Sequence, residues 1–154
     1  MTGSTYHLVT KLGEHHIHDL HGLYRGEWWT RGRGLGDVRR MLEHSDFVFG
    51  FSDVPGDRLV AFARVLTDRV FKALVFDVIV ANEHRGDGLG RRLMERIIRH
   101  PDLENVRHME LYCLPDMVGF YEKWGFSTDV SGVSLMRRQT PRGASSAVER
   151  EASS

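Results

Sequence analysis

The hexapeptide Arg-Gly-X-Gly-Leu-Gly occurs twice in this 154-residue chain, as Arg31-Gly32-Arg33-Gly34-Leu35-Gly36 and as Arg85-Gly86-Asp87-Gly88-Leu89-Gly90. A glycine-rich turn that opens a helix turns backbone N–H groups outward, and the helix dipole adds partial positive charge. The chemistry this suits is phosphate binding. Glycine permits the dihedrals such a turn needs and lets a ligand approach the backbone. Context separates the two copies. The second closely follows the apolar run Lys72 to Ala81 and opens the amphipathic segment Leu89 to Arg99. That is the strand–turn–helix setting the mechanism needs. The first follows Glu27-Trp28-Trp29-Thr30 with no strand before it, and reads as a flexible loop between two helices. From Arg85 to Arg99 five arginines stand against Asp87 and Glu95. The local excess is three positive charges, in a chain whose overall net charge is zero.

Two other groups of reactive side chains are weaker. His15, His16, His18 and His21 cluster, and His18 with His21 share a helical face. No further ligand set at metal-site spacing accompanies them, so solvated helix-end histidines are expected and no metal. Cys113 is the single cysteine, which excludes an internal disulfide and a Cys-only zinc site. It reads as a small buried residue rather than a nucleophile.

These groups need positioning, and the chain supplies a mixed α/β pattern. Strands are expected at Tyr6 to Lys11, Asp46 to Asp53, Arg58 to Thr67, Lys72 to Ala81 and Arg107 to Leu114. A final hairpin is expected from Phe126 to Val130 and Val133 to Arg137. Helices are expected at Ile17 to Arg25, from Val38 through His44, at Leu89 to Arg99 and at Asp116 to Trp124, with Asp116 as N-cap. The strand–helix–strand unit Lys72 to Leu114 should cross over and pair in parallel. The length fits one domain, residues 1–139, with 140–154 a disordered tail. Charge neutrality argues against a nucleic-acid binder. The longest apolar stretch is too short to span a membrane, and no signal peptide is visible. A soluble cytoplasmic protein is expected.

Phe76-Asp77-Val78-Ile79-Val80, then four residues, then Arg85-Gly86-Asp87-Gly88-Leu89-Gly90, resembles the acyl-CoA motif of the GNAT superfamily of acetyl-CoA-dependent N-acetyltransferases. Thirty residues beyond Gly90, Phe120-Tyr121-Glu122-Lys123-Trp124-Gly125-Phe126 resembles the family's helix-to-strand motif, with Phe120 in place of Leu. The resemblance spans about Phe47 to Arg137. It implies a central mixed sheet of six to seven strands flanked by about four helices, with acetyl-CoA as co-substrate and no metal.

Residue by residue, the resemblance implies that the backbone of Val78, Ile79 and Val80 pairs with the pantetheine amides. One of those N–H groups would polarise the thioester carbonyl. Amides of Arg85, Gly86, Asp87, Gly88, Leu89 and Gly90 would hold the pyrophosphate. Tyr121 would protonate the departing thiolate. Asp77, a carboxylate within an apolar strand, is the first candidate for the general base, because burial raises its pKa. It could equally be a structural hydrogen-bond acceptor. Relatives often carry a Glu-Asp pair here, and this chain has Phe76 in place of the Glu. Glu110 and Tyr112 are second choices, and deprotonation through water needs no single base. Many relatives also have an Asn before the tyrosine that touches the cofactor, where this chain has Leu114-Pro115-Asp116-Met117.

Trp28, Trp29 and Arg33 fall in the region that walls the acceptor pocket in this family. Aromatics plus a cation would suit an apolar or carboxylate-bearing amine; core tryptophans and a surface arginine are the alternative. The expected partner is a small-molecule amine, with a homodimer left open, and neither nucleic acid nor membrane. A protein N-acetyltransferase and a non-catalytic acyl-CoA-binding module are the competing readings.

Overall fold

The first strand of the protein, β1 (Tyr6–Val9), leads through Gly13 into α1 (Glu14–Arg25), and Gly34 caps the start of α2 (Leu35–Glu43). Three strands follow: β2 (Phe47–Asp53), β3 (Leu59–Thr67) and β4 (Lys72–Val80). A single-turn 3₁₀ segment, Asn82–His84, precedes α3 (Leu89–Ile98), and β5 (His108–Leu111) is followed by a 3₁₀ turn, Pro115–Met117, and α4 (Val118–Glu122). This computed structural model describes residues 5–141. The expected tail, 140–154, falls almost wholly outside the described residues.

The five strands form one sheet in chain order. The β1–β2, β2–β3 and β3–β4 pairs are antiparallel, and β4–β5 is parallel across α3, as the crossover pattern predicts. Apolar side chains alternate between the two faces. On one face Leu59, Phe62 and Ile79 pack against Leu20 and Tyr24 of α1 and Val38 of α2. On the other, Phe49, Phe51, Ala61, Ala63, Val65, Ala73 and Val75 pack against Leu89, Leu93, Met94 and Ile97 of α3, with Tyr121 of α4 at the margin. No helix among the described residues is long and apolar enough to cross a membrane.

Two expectations are corrected here. The final hairpin is not a hairpin of strands, so the sheet has five strands among the described residues rather than six or seven. Its turn forms: Val133 N–H donates to Val130 O at 3.2 Å, with Ser131 and Gly132 both at positive φ. The flanks stay unpaired and Val130, Val133, Leu135 and Met136 are exposed. A two-stranded ribbon needs a third strand or a helix to bury its apolar face, and these side chains find none. Asp116 is not an N-cap either. It sits inside the 3₁₀ turn, and the capping positions belong to Leu114 and Met117.

Candidate active site

Ala63 of β3 faces two residues of β4. The pairs Phe62↔Ile79 and Arg64↔Phe76 bracket it, so Asp77 and Val78 share one position in a β-bulge. Asp77 has φ +58, a left-handed backbone that is uncommon for a side chain with a Cβ. Its buried carboxylate explains how that conformation is held. Oδ2 accepts from the Tyr24 hydroxyl at 2.9 Å, from Arg33 Nη1 at 2.6 Å and from Arg64 Nε at 2.8 Å. Oδ1 accepts from Arg33 Nη2 at 3.2 Å. The Arg33 guanidinium lies over the Tyr24 ring and the Arg64 guanidinium over the Phe76 ring.

Burial alone would raise the Asp77 pKa. The hydrogen bonds and charges of Arg33 and Arg64 outweigh it, and the net shift is downward. The expected raised pKa is therefore corrected. Asp77 is a saturated carboxylate held ionised by two arginines, which makes it a weak proton acceptor. The same charge, after burial, pushes the Tyr24 hydroxyl well above its ordinary range.

Parallel pairing between β4 and β5 runs from Lys72↔His108 to Val75↔Leu111 and stops there. One step on, Phe76 and Tyr112 meet edge to face at 5.8 Å. Beyond them the strands fork. Val78–Val80 keep β3 on one side, where Ile79 and Val80 pair with Phe62 and Ala61. Their other edge has no strand beside it among the described residues. An open strand edge of this kind pairs with the amides of an extended ligand.

The second glycine copy lies just past that open edge. Gly86 and Gly88 have φ +94 and +78, and Gly88 is the N-cap of α3. The first helical bond runs from Arg92 N–H to Gly88 O at 3.0 Å. Leu89, Gly90 and Arg91 therefore have N–H groups with no intrahelical acceptor, and no side chain caps them. The turn is tied down on both sides. The Tyr6 hydroxyl donates to Asp87 Oδ2 at 2.5 Å and lies 2.8 Å from His84 Nδ1. Arg85 donates to Val80 O at 3.1 Å and to Glu27 Oε1 at 2.7 Å. A Cβ at Gly90 would come 3.4 Å from the Phe120 ring.

The first copy has the same letters and a different backbone. Gly34 is extended at φ −78, and Gly32, Gly34 and Gly36 have open space around them. The segment joins two helices, as expected. It is also pinned: buried Thr30 donates its hydroxyl to Tyr24 O at 2.7 Å, and Arg33 N–H donates to Thr30 O. Its chemical contribution is the Arg33 side chain on Asp77 rather than a phosphate cradle.

Tyr121 is buried on α4, edge-on to Phe120 at 5.0 Å and to Phe126 at 6.1 Å. Burial, and then the neighbouring Cys113, push its phenol pKa up to about 12. The hydroxyl stays protonated at neutral pH, as a proton donor must. Cys113 is exposed rather than buried, and partial desolvation, then the Asp116 charge, push its thiol pKa up, away from nucleophile chemistry. Trp28 and Trp29 are 67 % and 41 % exposed, so they are not core tryptophans. They stand beside Glu27, the residue that holds Arg85. Tyr112 is exposed at the fork, and Glu110 is occupied by Lys72 Nζ at 2.7 Å.

Three residues of the site escape the sequence reading: Tyr24, Arg64 and Phe76 as a ring pair. A signal existed for one. Arg64 is the lone charge in the run Leu59–Thr67, as Asp77 is between Ala73 and Val80 on the adjacent strand. Two lone opposite charges on neighbouring apolar strands imply a buried pair.

The sequence profile of the Acetyltransferase (GNAT) family matches residues 17–126, which contain the fork, the glycine turn and Tyr121. The chain belongs to this family. Among curated proteins the GNAT chain is similar to serotonin N-acetyltransferase 2, chloroplastic, of Oryza sativa subsp. japonica. The two are 41% identical over 101 residues, 64% of this chain and 50% of the rice protein. It is also similar to histone acetyltransferase TAP1 of Glycine max, 29% identical over 133 residues, 80% of this chain and 57% of that one. This chain thus spans about half the length of either. A solved GNAT-family structure from Xanthomonas campestris pv. campestris superposes with a TM-score of 0.76 at 36% identity, covering 89% of this chain and 94% of that one.

Proposed function

We propose that this GNAT protein is an N-acetyltransferase that moves the acetyl group of acetyl-CoA to the primary amine of a small molecule, by direct attack in a ternary complex. The observation that carries the reading is the fork: an open strand edge at Val78–Val80 that runs into the left-handed turn at Gly86 and Gly88.

The residues present fit acetyl-CoA. The uncapped N–H groups at the start of α3, in an arginine-rich stretch, suit its phosphates. The open edge of Val78, Ile79 and Val80 suits its amide-bearing arm. When bound, acetyl-CoA supplies an activated acetyl thioester. A β4 N–H in this edge offers a hydrogen bond where negative charge develops on the carbonyl oxygen. Tyr121 Oη holds the proton for the departing thiolate. Asp77 fixes the bulge instead of accepting the amine's proton, which passes to water at the exposed mouth of the fork.

The acceptor we propose carries an aromatic ring. Phe76 and Tyr112 present a ring pair at the crotch of the fork, and Trp28 and Trp29 add exposed aromatic surface. The name of the rice relative points the same way. The soybean relative's name points to a protein lysine, so a lysine peptide belongs in the same experiment. Thiol release from acetyl-CoA is measured against aromatic ethylamines, aliphatic amines, amino acids and lysine peptides. Fastest release with an aromatic amine supports the proposal. Fastest release with a lysine peptide would replace it, and acetyl-CoA binding without release for any amine would point to a binding module.

A further inference from the structure

His15 and His16 are adjacent at the start of α1, and consecutive helical side chains diverge by about 100°. Here both rings turn to one carboxylate. His15 Nε2 lies 2.8 Å from Asp57 Oδ2, and His16 Nε2 lies 3.0 Å from Asp57 Oδ1. The two rings are 3.9 Å apart, centre to centre. Asp57 comes from the turn between β2 and β3, so the sequence gives no hint that it joins them. The three ligand-type atoms all lie within 4.8 Å of one another. The group with i, i+3 spacing, His18 and His21, is not what converges; His18 faces Glu14 at 3.5 Å.

We propose that His15, His16 and Asp57 bind a divalent transition-metal ion of the zinc class through the two Nε2 atoms and a carboxylate oxygen. Two imidazoles and one carboxylate suit that class, and a water completes the coordination. Metal–ligand bonds of about 2.0–2.2 Å in tetrahedral geometry set ligand atoms about 3.3–3.5 Å apart. The present N–O separations must therefore open slightly. His15 and Asp57 can move, with side chains 59 % and 56 % exposed, while buried His16 is fixed. Binding through His16 Nε2 puts the ring proton on Nδ1 and gives up a long 3.4 Å contact from Gly13 N–H. The ion ties the first turn of α1 to the β2–β3 turn. None of the three ligands belongs to the fork, so the site stands apart from the transfer chemistry.

The test is calorimetric titration of the tag-free full chain with Zn²⁺, paired with thermal melts with and without the ion. One saturable site per chain is expected, with a melting temperature that rises with Zn²⁺. His15→Ala and Asp57→Asn, both exposed ligands, should melt like the parent without metal and bind at least tenfold more weakly. His18→Ala should bind like the parent. No saturable binding, or unchanged binding in His15→Ala and Asp57→Asn, overturns the proposal.

Discussion

Arg64 and Asp77 meet across β3 and β4 at 2.8 Å, although the ladder pairs Arg64 with Phe76, one residue before Asp77. The offset is the bulge. Arg64 sits 13 % exposed and the Asp77 side chain 4 %, so neither charge can be satisfied by water. The pair, with Arg33 and Tyr24, fixes the left-handed backbone that directs Val78–Val80 along the fork.

Asp77→Asn should therefore act on stability first. Removing one member of a buried ion pair costs about 3 kcal/mol or more, or roughly 6–12 °C in melting temperature for a domain of this size. The pH dependence has a defined sign. A carboxylate whose folded pKa is lowered contributes stability above its unfolded pKa, and that contribution is lost as pH falls through the folded value. Asp77→Asn should thus flatten the loss of stability below about pH 4. Denaturation midpoints across pH check this. A normal melt with a lost alkaline-rising limb in the rate profile would instead restore Asp77 as the general base.

The two glycine copies provide an internal comparison. Gly88→Ala forces a side chain into the left-handed region and should cost about 1–2 kcal/mol. Gly34→Ala, at φ −78 with open space around it, should change stability by less than about 0.5 kcal/mol. In calorimetry Gly88→Glu should abolish acetyl-CoA binding and Gly34→Ala should leave it intact. Equal effects at the two positions would remove the phosphate assignment.

Tyr121→Phe keeps the ring and removes the proton. Turnover should fall about 10²–10⁴-fold, with acetyl-CoA affinity nearly unchanged. With its phenol raised to about 12, the parent should show no loss of activity from Tyr121 ionisation below about pH 11. Near-normal turnover in the variant would mean that another group protonates the thiolate.

Tyr112→Ala removes an exposed ring that packs on Phe76, so the fold should tolerate it. An aromatic contact is worth about 0.5–1.5 kcal/mol, so KM for an aromatic amine should rise about 2–12-fold. KM for acetyl-CoA and for an aliphatic amine should stay put. A uniform rise would assign Tyr112 a general rather than an acceptor-selective role.

What was legible in the sequence follows the range of the interactions involved. The four buried positions of α3, the apolar run of β4 and the parallel return through β5 all come from local pattern, and the structure keeps them. The glycine turn that opens α3 was readable because a strand precedes it and a helix follows. The role of Asp77 was not. Its environment depends on Arg33 and Arg64, which lie 44 and 13 residues away and reach it only through the fold. The unpaired flanks of the Ser131-Gly132 turn show the same limit from the other side. Turn chemistry is local, but a strand needs a surface to pack on, and sequence alternation does not supply one. Trp28 and Trp29 illustrate it again, since hydrophobic type alone did not tell core from surface.

The proposed reaction is direct acetyl transfer at the fork between two bound substrates. Initial rates of thiol release, with acetyl-CoA and an aromatic amine both varied, test it most directly. Direct transfer gives intersecting double-reciprocal lines and no thiol burst when the amine is omitted. Parallel lines with a burst of thiol in the absence of amine would show a covalent acetyl-enzyme and contradict it.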